Sequence, residues 1–169
     1  MSTAASDPRP DPLYTPSQRA RRDATVWTTV QAVLAPLQFL VFAISLGLVL
    51  RYLWTGGGYT AATVSILAKT AILYTIMVTG AIWEKVVFGQ YLFAPAFFWE
   101  DVVSFVVIAL HTAYLYGLIG ETLTPVQLML VALAAYATYA LNAAQFLLKL
   151  RRARIDGGAR ASPHGGHPA

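Results

Sequence analysis

An all-α integral membrane bundle of four transmembrane helices is the fold class this sequence predicts, on three observations. Of its 169 residues 57% are hydrophobic and only 12% charged, and the mean hydropathy is +0.56, too oily for an ordinary soluble domain. Four apolar stretches each approach or exceed the ~20 residues a helix needs to cross hydrocarbon. Basic residues gather at both ends of that apolar region: Arg19, Arg21 and Arg22 before it, and Lys149, Arg151, Arg152 and Arg154 after it. Such clusters mark the cytoplasmic edge of a bilayer.

The elements follow in order. Residues 1–17 are rich in Pro, Ala and Ser and read as a disordered tail. The first span is expected over residues 26–50, kinked at Pro36 and closed by Arg51 and the breaker Gly56, Gly57 and Gly58. Its apolar run is longer than the roughly 7 to 15 residues of a signal peptide, so it reads as a retained helix. Further spans are expected over 60–87, 99–118 and 125–148, making residues 18–154 one transmembrane domain. Residues 155–169, with His164 and His167, read as a second disordered tail. An even number of crossings with both basic clusters inside puts both termini in the cytoplasm, together with the connection 85–98; Arg51 and Glu121 mark the outer loops.

Cysteine is absent, which excludes a disulfide framework, a thiolate nucleophile and a sulfur-ligated metal. No basic surface continues between the two clusters, so nucleic acid is not an expected partner. The expected surroundings are lipid.

Polar residues form stripes inside the spans. Glu100, Ser104 and His111 are spaced by four and seven residues, which returns all three to nearly one helix face, with His111 about 16 Å deeper than Glu100. An imidazole there needs an interhelical hydrogen bond, or a ligating or catalytic role. Lys69 and Glu84 fall along a stripe of the second span; Lys69 is expected to snorkel toward the outer headgroups. Gln31, Gln38 and Ser45 on the first span, and Thr138, Asn142 and Gln145 on the fourth, suit interhelical hydrogen bonding.

The segment 83–111, WEKVVFGQYLFAPAFFWEDVVSFVVIALH, carries the richest chemistry. Glu84, Glu100 and Asp101 are expected beside a connection crowded with Phe88, Tyr91, Phe93, Phe97, Phe98 and Trp99. Aromatic belts at membrane interfaces look like this, and so does a resting place for a flat apolar ligand. Clustered carboxylates in a low dielectric favour keeping a proton among them, which suits a proton donor.

Three runs, RARRDATVWTTVQAVLAPLQFLVF, TIMVTGAIWEKVVFGQYLFAPAFFWEDVVSF and ALAAYATYALNAAQFLLKLR, are similar to the 3-vinyl bacteriochlorophyllide hydratase family of bacteriochlorophyll synthesis in photosynthetic bacteria. The resemblance covers residues 13–154. It implies a hydro-lyase of a bacterial inner membrane that adds water to the C3 vinyl group of chlorophyllide a or 3-vinyl bacteriochlorophyllide a, giving a 3-(1-hydroxyethyl) product. No cofactor is implied, because magnesium arrives within the substrate, and other pigment-synthesis enzymes are implied as neighbours. The alternative function is a non-catalytic tetrapyrrole carrier or assembly factor.

The resemblance assigns no catalytic residue, so the expected roles rest on residue chemistry. Glu100 or Asp101 is expected to protonate the terminal vinyl carbon, with Glu84 orienting water and stabilising the cation. Tyr91, Phe97 and Trp99 are expected to hold the macrocycle, and Lys85, Lys149 or Arg22 its propionate. His111 is the intramembrane imidazole that could ligate the substrate's magnesium, although its depth argues for water or a loop carbonyl instead.

Overall fold

The computed structural model describes residues 13–161, with side chains as far as Arg152. Its elements are five helices: α1 (Pro16–Ala24), α2 (Val26–Thr55), α3 (Tyr59–Phe88), α4 (Phe98–Ile119) and α5 (Pro125–Ala161). The last four contain the expected spans, and each is long and apolar enough to cross a membrane. His164, His167 and the outer parts of both expected tails lie outside the described residues.

Local chemistry sets the helix ends. Thr15 closes a capping box with Gln18 at the start of α1, and Thr124 with Gln127 does the same before α5, where Pro125 follows. Thr25 breaks α1 from α2 with extended backbone and accepts from the Trp27 N–H. Gly56 and Gly89 end α2 and α3 in the left-handed conformation, at φ of 71° and 89°, where a Cβ would be strained.

Two tight hairpins build the bundle: α2 packs along α3 and α4 along α5, while α2 meets α5 less closely and α3 meets α4 sparsely. The main core lies between them around Phe42, Val49, Ile66, Tyr114, Met129 and Tyr136. Large apolar side chains such as Phe39, Val78, Leu130 and Leu141 face outward, the inverse of a soluble helix and the pattern that lipid requires. Polar cross-links fix the register of the α2/α3 hairpin. Gln31 donates to Thr79 at 2.7 Å and the Trp83 indole to Thr28 at 2.9 Å.

The structured region begins earlier than expected. Tyr14, placed by sequence in a disordered tail, is buried in a second core with Val87 and Phe97 and stacks on Phe88. Burial pushes its phenol above the ordinary tyrosine range, opposed by the charge of Arg22. Helix α1 was not anticipated because it is short and polar. It is tied down by Arg21, whose guanidinium donates twice, at 3.0 and 2.7 Å, to the Val87 carbonyl at the end of α3. At the other end α5 runs to Ala161, beyond the expected limit of its span, through an RRAR segment of strong helix formers.

Candidate active site

The end of α3, the start of α4 and the connection between them enclose the carboxylates. Gly89 turns the chain out of α3, and the connection folds back so that two of its amides point at acids. Ala94 N–H donates to Glu84 Oε2 at 3.2 Å and Phe93 N–H to Asp101 Oδ2 at 2.7 Å. Phe93 sits at φ 59°, unusual for a side chain of that size. Such a conformation costs of order 1 kcal/mol and persists where neighbours enforce it. Here the Asp101 hydrogen bond and a parallel stack of Phe93 on Phe105, with centroids 5.4 Å apart, do so.

Glu84 and Asp101 are both buried, and their carboxyl groups are in hydrogen-bonding contact with each other. A hydrogen bond between two carboxyl groups needs one proton between them. Glu100, one residue along but 100° around the helix, faces elsewhere. It is paired with Lys149 at 2.6 Å, and the same amine donates to the Ala96 carbonyl. The expected trio therefore divides into an acid pair, Glu84 with Asp101, and an ion pair that pins the connection.

The aromatic residues divide as well. Phe97, expected against the macrocycle, is only 2% exposed and is enclosed by Tyr14, Trp83, Phe88 and Phe146, so its ring supports the connection from within. Tyr91, Phe93, Phe98, Trp99 and Phe105 are outward and exposed. Of these, Phe98 packs on both Phe93 and Trp99, giving a continuous aromatic face beside Asp101. Lys85 lies at its rim, donating to the Gly89 carbonyl at 2.8 Å with its amine over the Tyr91 ring. Arg22 is held by Asp23 and lies over Tyr14.

Lys69 departs from expectation, whereas His111 makes the interhelical hydrogen bond that was one of the roles expected of it. Lys69 does not snorkel: it is 0% exposed, and its amine meets His111 Nε2 at 2.8 Å. His111 Nδ1 is 2.7 Å from the Val107 carbonyl, an acceptor only. Nδ1 therefore carries the ring proton and Nε2 accepts from Lys69. Both ring nitrogens are engaged and the ring is enclosed, which removes His111 as a magnesium ligand. Lys69 also lies over the Tyr139 ring at 4.3 Å. Sequence gave no signal for this pairing, which depends on the register of α3 against α4.

Two shallow surface hollows lie elsewhere, one beside Arg51 and Trp54 and one along Tyr74, Val78 and Thr79. Neither borders the acid pair.

Fold and site define a polytopic helical membrane protein with a buried carboxyl pair beside an exposed aromatic surface. The chain belongs to the 2-vinyl bacteriochlorophyllide hydratase family, whose model matches residues 14–152. A 2-vinyl bacteriochlorophyllide hydratase of Cereibacter sphaeroides is 76% identical over 144 residues, covering 85% of this chain and 89% of that protein. One of Rhodobacter capsulatus is 67% identical over 156 residues, covering 92% and 91%. No solved structure matches the chain.

Proposed function

We propose that this chain adds water to the vinyl group of a bacteriochlorophyllide or chlorophyllide a, forming a 1-hydroxyethyl substituent. The vinyl substituent given the locant 2 in the family's description is read as the C3 vinyl group named above. The observation that carries the reading is the 76% identity to a hydratase along nearly the whole chain. The acid pair supplies a chemical reason.

In the proposed reaction the macrocycle lies on the face formed by Phe93, Phe98, Trp99 and Phe105, with its vinyl group turned toward Glu84 and Asp101. The proton held by the pair passes to the terminal vinyl carbon: the carboxyl O–H bond breaks, a C–H bond forms, and the ring conjugates the resulting cation. Water oxygen bonds to that cation and its surplus proton returns to the carboxylate, so protons and electrons balance without a redox partner. The negative pair stabilises the cationic transition state. Hydration calls for no resident cofactor, and magnesium enters with the substrate, ligated by water or a loop carbonyl.

Lys85 and Tyr91 form the headgroup-level rim for the substrate's propionate. Lys149 is committed to Glu100 and serves the connection instead. The basic residues of α1 and the end of α5 accompany the acid pair, which supports reading that end as the cytoplasmic side of a bacterial inner membrane. Lipid and neighbouring pigment enzymes are the expected partners.

A carrier function would use the same aromatic face. The purified chain in lipid, given the vinyl pigment in H2(18)O, is expected to yield 18O-labelled hydroxyethyl pigment. Tight binding with the vinyl group unchanged would overturn the hydratase reading in favour of the carrier.

A further inference from the structure

A hydratase inside a membrane must hold its second substrate, water, beside an apolar partner. One turn from the acid pair, toward the middle of the bundle, Asn142 Nδ2 donates to Ser104 Oγ at 2.7 Å. Ser104 follows Asp101 by three residues, a rise of about 4.5 Å. Asn142 is 9% exposed, and its Oδ1 is buried without a hydrogen-bond partner among the described residues. Gln38 Oε1 is buried in the same unpartnered condition.

These two amides share one depth. Ser45 Oγ meets Tyr136 OH at 2.6 Å, fixing α2 against α5. From that contact toward the acid pair, Gln38 is seven residues along α2 and Asn142 six along α5, descents of about 10 and 9 Å. Leaving such an acceptor unpaired costs roughly 1–3 kcal/mol, and water, a double donor, is the small molecule that relieves it. Exchanging oxygen and nitrogen in the Asn142 amide still leaves one polar atom unpartnered.

Building on the hydratase reading, we propose that Asn142, oriented by Ser104, binds the water that is added to the vinyl group, with Gln38 completing the polar layer. The Asn142 oxygen accepts one O–H of that water, which turns an oxygen lone pair toward the substrate carbon next to the ring.

The test uses the full chain in lipid, with Asn142→Leu and, because a layer substitution can disturb folding, Ser104→Ala as a smaller change. Asn142→Leu is expected to bind vinyl pigment as wild type does, with KM within about twofold, and to lose about 100-fold in kcat, the scale set by misplacing a reactant. Ser104→Ala is expected to lose about tenfold in kcat at unchanged KM. Infrared difference spectra should show an internal-water O–H band that shifts in H2(18)O in wild type and is missing from Asn142→Leu. Wild-type kcat in a folded Asn142→Leu, or in Ser104→Ala where the leucine variant does not fold, overturns the water site. Failure of wild type to hydrate at all would instead overturn the function on which it rests.

Discussion

Lys69 and His111 face each other across α3 and α4 with 2.8 Å between amine and imidazole. Neither touches solvent appreciably. Their contact sits far along α4 from the acid pair, near the Tyr74–Thr112 hydrogen bond of 2.8 Å that also joins α3 to α4, and the two together fix how the hairpins meet. Lys69→Met is expected to destabilise by about 1–3 kcal/mol, because His111 Nε2 is left buried without a donor. The Lys69→Met/His111→Phe double variant should cost less than the two single changes added together. Thermal unfolding in detergent, analysed as a double-mutant cycle, checks this.

Glu84 and Asp101 share a proton in the proposed mechanism, so either neutral amide should disable it. Glu84→Gln and Asp101→Asn are each expected to lower kcat by roughly 100- to 10,000-fold, the range for general acid–base groups. Pigment binding should persist. Turnover of vinyl pigment beside a binding titration separates the two effects, and near-normal turnover in both variants would remove the pair from the chemistry.

Glu100 is expected to matter for stability more than for rate, because its partner is Lys149 and not the acid pair. Lys149→Met leaves a buried carboxylate unpaired and loosens the Ala96 carbonyl, costing about 2 kcal/mol, the scale of a hydrogen bond to a charged group. Glu100→Gln should retain at least a tenth of wild-type kcat. Unfolding midpoints and turnover measured on the same preparations decide.

Arg21 clasps the Val87 carbonyl through two guanidinium nitrogens. Arg21→Lys keeps the charge but lacks the planar fork. Both Arg21→Lys and Arg21→Ala are expected to cost about 1 kcal/mol and to expose the first structured residues to protease. Limited proteolysis before residue 26, followed by mass spectrometry, reads this directly.

The spans were legible because lipid imposes length and hydropathy on any crossing helix, and the α3 and α4 limits fell within a residue of those observed. The clustering of acids and aromatics was legible too. The pairing of the acids was not: Glu100 and Asp101 are neighbours in sequence, yet the helical turn between them sends one to Lys149 and the other to Glu84. Helix α1 was hidden because nine mostly polar residues carry no span signal, and their anchor, Arg21 on Val87, joins positions 66 apart. Lys69 was misjudged for a related reason. Snorkelling is the default for a lone lysine, and only tertiary structure reveals an imidazole within its reach.

Outward exposure of Phe93, Phe98, Trp99 and Phe105 gives the bundle a flank rather than a mouth for an apolar guest. A tetrapyrrole dissolved among acyl chains could glide in sideways, present its alkene, and depart as an alcohol by the same route without ever crossing into bulk solvent.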